Sequence, residues 1–261
     1  MDFAALTIFP EMFDLFWEHG IVRRAIESRH IAAKAMDIRD YADGRHRVTD
    51  DRPYGGGCGM VMKPEPLARA IRAARRQLPE AWVVHLTPQG RVLDQPLLEQ
   101  LAGLSGLILV CGRYEGLDER VVRNHIDVEL SIGDYVLTGG ELGAMVVMDG
   151  VTRLIPGVLG GEDSAALDSF SDRLLEHDHY TRPPEFEGEP VPAVLLSGHH
   201  ERIAQWRREQ ALIRTVLKRP DLLAGRELAD EERAILAAWR KQLNAILNGT
   251  LRDVDDDRRQ P

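Results

Sequence analysis

The sequence predicts an α/β domain with a mostly parallel sheet, followed by a small helical C-terminal domain. Short apolar runs alternate with segments of helical spacing in the first part of the chain, as in strands that are connected through helices. The later part carries helical patterns without a further strand pattern. Residues 161–172 between them are small, polar and acidic, a composition typical of a linker. The predicted domains are therefore 1–160 and 173–261, joined by 161–172.

The elements follow from the spacing of the apolar residues in chain order. Strands are predicted at 3–8, 31–38, 82–86 and 107–110. Helices are predicted at 11–19, 66–78, 97–101, 117–124 and 140–154. Residues 41–60 are polar and then glycine-rich, which predicts a long loop, and loops of that length are usually functional or disordered. The proline-rich segment 179–192 predicts irregular structure before the last helices.

Composition limits the classes of function. The net charge of −9 means that any nucleic-acid site must be a local basic patch, because the whole chain does not attract phosphate. Two cysteines, Cys58 and Cys111, are too few for a disulfide framework and fit a reducing compartment. No apolar stretch approaches the roughly 20 residues of a membrane span, and the N-terminus lacks the basic start of a secretory signal. We therefore expect a cytoplasmic protein with no membrane partner.

Three glycine-bearing turns predict a small-molecule pocket. They cover 85–90, 111–116 and 131–140, and the first two follow predicted strands. Ligands of open α/β sheets bind beyond the carboxyl ends of the strands, so these turns could converge on one ligand; each turn alone could equally be an ordinary turn. The chain has no GxxxxGK[ST] loop, and the glycines at 55–59 follow a polar loop where a dinucleotide fingerprint requires a strand. Backbone amides, tyrosines and carboxylates suit a ligand with an adenine and a ribose better than a polyphosphate.

Longer motifs extend this pattern over nearly the whole chain. They are YGGGCGM from Tyr54, TPQGRVLDQ from Thr87, CGRYEGLDERV from Cys111, SIGDYVLTGGEL from Ser131, RLIPGVLG from Arg153, DSF from Asp168, HYTRPPEF from His179 and VLLSGHHERIAQWR from Val194. In this order they resemble the bacterial tRNA (guanine-N1)-methyltransferases of the knotted SPOUT superfamily. The resemblance implies a deep trefoil knot and methylation of the guanine immediately 3′ of the tRNA anticodon. It also implies a homodimer whose active sites are shared between chains.

The resemblance further implies S-adenosylmethionine as cofactor, with Mg²⁺ as a candidate second cofactor. The residues it assigns to cofactor binding are Leu86, Pro88, Gly112, Tyr114, Glu115, Gly116, Ser131, Ile132, Gly133, Asp134, Tyr135, Val136, Leu137, Gly139 and Gly140. The chain departs from the family pattern at Cys58, His85, Thr87, Gly143, His199 and His200. None of these departures removes a group that is assigned to the chemistry.

Two residues are assigned to catalysis by the resemblance. The guanine N1 must lose a proton while negative charge builds on O6, so the reaction calls for a base and a cation. Asp168 is the implied base, and Arg153 is the implied cation that stabilises O6. From the residues alone, Asp168 could instead cap a helix, and Arg153 could be an ordinary basic residue near a helix C-terminus.

Contact with tRNA, through the anticodon stem-loop, is predicted at two places. In the polar loop the assigned residues are Asp50, Gly55 and Gly59. On the helix that follows His199, the assigned residues are Arg202, Arg207, Arg208 and Arg214, with an apolar stripe of Ile203, Trp206, Ile213 and Leu217 expected to face the core. An ordinary amphipathic surface helix would show the same pattern.

No metal ligand is assigned, because neither the group His177, Asp178 and His179 nor the group His199, His200 and Glu201 has the ligand set of a zinc site. Two alternatives to the tRNA guanine methyltransferase stay open. One is a knotted methyltransferase that acts on another RNA base or on a ribose, and a ribose hydroxyl does not call for the pair of Arg153 and Asp168. The other is a non-catalytic RNA-binding protein of the same fold, against which an intact cofactor pocket counts.

Overall fold

The computed structural model describes residues 1–160, 168–170 and 172–248. The chain divides into two compact units, Met1–Ala165 and Ala166–Pro261. Most of the predicted linker, 161–167 together with 171, lies outside the described residues. The functions assigned to the two predicted domains stay predictions.

The first unit is built on a five-stranded parallel sheet. Its strands are β1 (Asp2–Thr7), β2 (Ala32–Asp37), β5 (Trp82–Val92), β6 (Gly106–Cys111) and β7 (Val128–Ser131). They are arranged in the order β2-β1-β6-β5-β7, and every pair is parallel. A separate antiparallel pair joins β3 (Asp50–Asp51) to β4 (Val61–Met62). The predicted mostly parallel sheet is confirmed.

Helices cover both faces of this sheet, as a parallel sheet requires. They are α1 (Asp14–Trp17), α2 (Gly20–Glu27), α3 (Pro64–Gln77), α4 (Gln95–Ala102), α5 (Glu119–His125) and α6 (Glu141–Thr152). Alternate residues of β6 enter two different cores: Leu107 and Leu109 lie in one, and Ile108 and Val110 lie in the other. The first core also holds residues of α4 and α6, and the second holds residues of α3 and α5. The strand is therefore buried on both faces, which explains its continuous apolar run.

Four predictions for the first unit need correction. The helix predicted at 11–19 is a 3₁₀ turn (Pro10–Phe13) followed by the four-residue α1. Gly20, with φ +67°, begins α2 rather than ending a helix, so α2 was missed. Strand β7 was missed as well, because four residues that include Glu129 give little periodicity. Strand β5 continues to Val92 instead of ending at Leu86.

The second unit is mainly helical, with α7 (Ala193–Leu196), α8 (His200–Lys218) and α9 (Asp230–Leu247). The proline-rich segment is not wholly irregular, since β8 (Glu185–Phe186) pairs antiparallel with β9 (Glu189–Pro190). Among the described residues, no helix is both long enough and apolar enough to cross a bilayer.

The predicted apolar stripe of α8 is wrong in part. Leu217 is 68% exposed, and the residues that α8 buries are Leu212 and Thr215. Thr215 can be buried because its hydroxyl is satisfied twice: it donates to the carbonyl of Ala211 at 2.7 Å and accepts from the backbone N–H of Leu175 at 2.8 Å. A polar side chain with both hydrogen bonds made costs little to bury, and apolar spacing alone does not reveal it.

Candidate active site

The three predicted turns meet around one cavity of about 360 Å³, which lies beside residues 85–89 within β5 and beside the carboxyl ends of β6 and β7. These strands are neighbours in the sheet, so their ends lie side by side. Every residue predicted to bind the cofactor lines this cavity except Asp134, which is exposed outside it. His85, Thr87, Gln89, Arg113, Leu130, Thr138 and Gly143 complete its wall.

The first turn is an interruption within β5. The pairing of β5 with β7 shifts between Leu86 and Arg91, so the residues between them leave the ladder and border the cavity. Gly90 is the last residue of the interruption. Only glycine fits there, because a Cβ would collide with the backbone of Glu129 and Leu130. The turn predicted at 85–90 is therefore a bulge inside one strand, and glycine allows the two backbones to approach.

The second turn is held by hydrogen bonds on both sides. The backbone N–H of Glu115 donates to the carbonyl of Met60 at 3.0 Å, and that of Gly116 donates to the carbonyl of Arg113 at 3.1 Å. Tyr114, the residue before Glu115, has φ +59°, a left-handed conformation that is strained for a residue with a side chain. Strain of this kind persists where the surroundings impose it, and here it lies in the cavity wall.

A buried ion pair fixes this turn to the start of α6. The Nη2 atom of Arg113 lies 2.9 Å from Oε2 of Glu141, and the two side chains are 17% and 1% exposed. Oε1 of Glu141 also accepts from the hydroxyl of Thr7 at 2.7 Å. The Arg113 guanidinium lies over the ring of Phe9, 4.6 Å from its centroid. Strand β1, the second turn and α6 are thus joined at one polar cluster.

The third turn is held by hydrogen bonds from its side chains to its own backbone. The Ser131 hydroxyl donates to the carbonyl of Gly133 at 3.0 Å, and the Tyr135 hydroxyl donates to the carbonyl of Ile132 at 3.1 Å. The end of the turn is bound to the second turn, since the N–H of Gly140 donates to the carbonyl of Gly112 at 2.9 Å. A Cβ on Gly140 would lie 2.8 Å from Cα of Cys111, so only glycine allows this approach.

His85 is a cavity residue that was not assigned from the sequence. It is buried in β5, and its Nδ1 lies 3.2 Å from Oε1 of Glu129 in β7. Burial lowers the pKa of His85, although the Glu129 carboxylate acts in the opposite direction. The ring is therefore neutral at pH 7, and with Nδ1–H donated to Glu129 its Nε2 is an acceptor beside Gly112. A polar residue inside the apolar run WVVHL was the signal that could have found it.

Cys111 ends β6 next to the cavity but is fully buried. Burial raises the pKa of its thiol well above the usual value. A protonated, inaccessible thiol is a core residue and not a nucleophile.

The two predicted catalytic residues belong to different units. Arg153 is the C-terminal cap of α6 in the first unit, and its side chain is exposed. Asp168 is half-buried in the short described stretch 168–170 of the second unit. Their joint action on one substrate stays a prediction.

Two of the three predicted tRNA residues of the first unit lie in the glycine-rich loop, and the third lies in β3. Gly55 and Gly59 both have φ +84°, which suits glycine, and both are exposed. A Cβ on Gly59 would collide with the Glu115 carboxylate, so the glycine-rich loop lies directly against a cavity residue. Asp50 pairs with Met62 in the β3–β4 ladder and is half-buried.

The four predicted arginines of α8 differ in their surroundings. Arg202 and Arg207 are exposed. Arg208 pairs with Glu231 at 3.3 Å, and both side chains are about half exposed. Arg214 is half-buried and forms an ion pair with Asp178, so its guanidinium is partly committed within the unit. The structure therefore does not present the four as one equivalent set.

The chain is similar to known proteins of one family. The profile of the family described as tRNA (Guanine-1)-methyltransferase TrmD matches residues 1–225. A tRNA (guanine-N(1)-)-methyltransferase of Desulfatibacillum aliphaticivorans is 57% identical over 247 residues, which cover 95% of this chain and 94% of that protein. One from Syntrophotalea carbinolica is 53% identical, over 94% of this chain and 99% of that protein. The crystal structure of a tRNA (m1G37) methyltransferase from Aquifex aeolicus superposes with a TM-score of 0.70 at 38% identity, over 85% of this chain and 94% of that one.

Proposed function

The chain belongs to the tRNA (guanine-1)-methyltransferase family, and from that premise we propose that the cavity beside β5, β6 and β7 binds S-adenosylmethionine. The family reaction, transfer of a methyl group to N1 of a guanine in tRNA, is this chain's reaction. The observation that carries the proposal for the cavity is the convergence of the three turns on one space of about 360 Å³. That volume lies within the range of small-molecule sites, roughly 300–1,000 Å³.

The wall of the cavity fits the chemistry of this cofactor. Backbone groups of 131–140 offer donors and acceptors for an adenine edge, and Leu86 and Ile132 offer apolar surface for its faces. Glu115 supplies a carboxylate that suits ribose hydroxyls or an ammonium group. A Cβ on Gly116 would meet nothing within 4 Å, so open space remains above the second turn. Bound S-adenosylmethionine supplies a methyl group on a sulfonium, and the protein must align it with the acceptor and exclude water.

We assign the removal of the guanine N1 proton to Asp168 and the stabilisation of the charge on O6 to Arg153. On methylation, N1 gains a bond to the methyl carbon as the bond between that carbon and the sulfonium sulfur of the donor breaks, and the N1 proton is released. The Asp168 carboxylate accepts that proton, and the Arg153 guanidinium stabilises the charge that develops on O6. We assign the reaction to the guanine immediately 3′ of the anticodon, following the family resemblance and the activity named for the Aquifex aeolicus protein.

The homodimer is also part of the proposal. On the outer side of α6, Leu142 and Val146 are 51% and 47% exposed at a spacing of four residues, while Ala144 and Val147 are buried. Exposed apolar residues that share a helix face are typical of an interaction surface. If each active site takes Arg153 from one chain and Asp168 from its partner, mixing Arg153→Ala with Asp168→Ala chains restores activity at one site per mixed dimer. A fully active monomer in light scattering would exclude this arrangement.

The proposal has three further parts, which rest on the family resemblance and on the tRNA substrate. They are Mg²⁺ as a second cofactor, a trefoil knot in the fold and a cytoplasmic location. The test for Mg²⁺ is whether methylation stops with a chelator and returns when Mg²⁺ alone is added.

The cavity is tested by calorimetry with S-adenosylmethionine. Ile132→Trp fills the cavity and should remove binding, whereas Val92→Trp, on an exposed part of β5 outside the cavity, should not. Circular dichroism checks that both variants are folded. Equal affinity in both variants would reject the cavity.

The position of methylation is tested separately by mapping modified bases in tRNA. Methylation of N1 of the guanine 3′ of the anticodon is expected. A modified ribose or another modified base would favour the alternative methyltransferase.

A further inference from the structure

A cluster of potential metal ligands lies in the second unit, outside everything assigned so far. Glu176, His177 and His179 each bring one ligand atom into a group whose members all lie within 4.8 Å of one another. The sequence showed the two histidines but not a third ligand. The structure adds Glu176, whose carboxylate lies 2.9 Å from Nε2 of His179.

The backbone that carries these ligands is fixed on both sides. The N–H of Leu175 donates to the buried hydroxyl of Thr215 in α8 at 2.8 Å, and the N–H of Glu176 donates to Oγ of Ser169 at 3.0 Å. On the other side, Asp178 forms an ion pair with Arg214 of α8. A metal ion would therefore meet a segment that is already ordered, which lowers the entropic cost of binding.

The orientation of His177 is set in the way that metal-binding histidines usually require. Its Nδ1 lies 2.9 Å from the carbonyl oxygen of Asp178. A carbonyl only accepts, so Nδ1 carries the hydrogen and Nε2 keeps a lone pair. A hydrogen bond from the second ring nitrogen to a carbonyl is the common support for a ligating imidazole. The ring also packs near Trp206 and His179, with centroids 6.3 Å and 4.6 Å away.

From this geometry we propose that Glu176, His177 and His179 bind a divalent transition-metal ion, with zinc as the best match. Two imidazoles and one carboxylate form a three-ligand set that suits zinc and leaves one position open for water or a ligand. Magnesium prefers oxygen ligands and octahedral geometry, so this set does not suit it. The contact of 2.9 Å between Oε1 of Glu176 and Nε2 of His179 joins two of the three proposed ligand residues, and a bound ion would replace it.

The site would also affect a neighbouring part of the second unit. The hydrogen bond from Glu176 to Ser169 connects the cluster to the residue next to Asp168. A bound ion that holds Glu176 would hold this connection as well. The proposal does not depend on Asp168 being the base, because metal binding is measured without methyl transfer.

The test is a zinc titration of the full-length, metal-stripped protein without an affinity tag. We expect one zinc per chain in competition with a chromophoric chelator, and a tetrahedral absorption spectrum when Co²⁺ replaces zinc. His177→Ala and His179→Ala should each weaken zinc binding by more than about 10–100-fold, the loss found when an outer-shell partner of a metal site is removed. His199→Ala and His200→Ala, which alter an exposed pair at the start of α8, are the matched controls and should leave affinity unchanged.

Three results would overturn the proposal. They are the absence of zinc binding at millimolar concentration, zinc binding that survives both His177→Ala and His179→Ala, and competition by Mg²⁺ as strong as that by zinc. Thermal unfolding of the metal-free variants checks that they are folded. Glu176→Gln provides a further variant, because it keeps the size of the side chain while removing the carboxylate.

Discussion

The cavity of the first unit and the arginine-bearing helix of the second unit are both candidate binding sites, but they are built differently. The cavity is lined by three turns that belong to adjacent strands of one sheet, and a backbone hydrogen bond from Gly140 to Gly112 joins two of these turns. The helix α8 offers long side chains to solvent, and two of its four predicted arginines pair with acidic residues. The turns of such a site are placed once the sheet forms. A site made of long side chains depends on partners that can rearrange at little cost.

The catalytic pair gives the largest expected effect and tests whether function needs the second unit as much as the first. Asp168→Asn keeps the size of the side chain and one acceptor oxygen but removes the basic carboxylate. We expect the rate of methyl transfer to fall by at least about 10²–10⁴-fold, while S-adenosylmethionine and tRNA bind as before. Single-turnover methylation with both ligands saturating measures this rate.

A helix cap would respond in the opposite way, because asparagine caps about as well as aspartate. A nearly wild-type rate for Asp168→Asn would therefore leave Asp168 as a structural residue.

The next prediction compares the free energy of unfolding that is lost when a buried ion pair and an exposed ion pair are broken. Glu141→Ala removes the partner of Arg113, which is 17% exposed, and should lower the free energy of unfolding by about 3–5 kcal/mol. Glu231→Ala, the matched change in the exposed pair with Arg208, should cost about 0–1 kcal/mol. Urea unfolding measures both. Similar losses of unfolding free energy in the two variants would mean that the ion pair of Arg113 with Glu141 stabilises the protein no more than the exposed pair formed by Arg208 does.

The pH dependence of stability tests the buried imidazole in the cavity wall. Burial lowers the pKa of His85 in the folded protein below about 6.5, the usual value in an unfolded chain. The unfolded state therefore binds more protons at acidic pH, so the contribution of His85 to stability is present above about pH 6.5 and is lost as the pH falls. His85→Gln should flatten this part of the profile, whereas His46→Gln, in an exposed loop, should not. Parallel profiles for wild type and His85→Gln would contradict the assignment.

The smallest expected effect concerns the exposed arginines of α8. Arg207→Ala should weaken tRNA binding and reduce the slope of log affinity against log salt by about 0.7–1, the share of one phosphate contact. Arg214→Ala should change the slope less, because its guanidinium already pairs with Asp178. Binding measured over a range of salt concentrations separates the two. An equal reduction in both variants would show that the ion pair with Asp178 opens when tRNA binds.

The sequence predicted the parts of the molecule that local pattern controls. Strand β6 was found because its residues are apolar on both faces, and the cavity was found because motifs with glycine follow strands. Strand β7 was missed, since its Glu129 is explained only by His85 on the neighbouring strand. The bulge in β5 was read as a turn, because the return of Arg91 and Val92 to the ladder depends on β7. Pairing of Arg214 with Asp178, and of Glu176 with His179, also depends on side chains meeting in space.

The strand order of the first unit has a consequence for how the enzyme is made. Strand β1 pairs with β6, and Phe3 is the partner of Leu107. The centre of the sheet therefore cannot form until Leu107 has been synthesised. Contacts this distant in sequence slow folding, because the loop entropy must be overcome before the pairing is gained. The ribosome adds about 5–20 residues per second, so β1 and its neighbour β2 exist for several seconds without the strand that completes them. The apolar residues of β1 and β2 are exposed during that interval, and aggregation during synthesis would begin there. The cavity cannot bind its ligand until the hydrogen bond from the N–H of Gly140 to the carbonyl of Gly112 has formed.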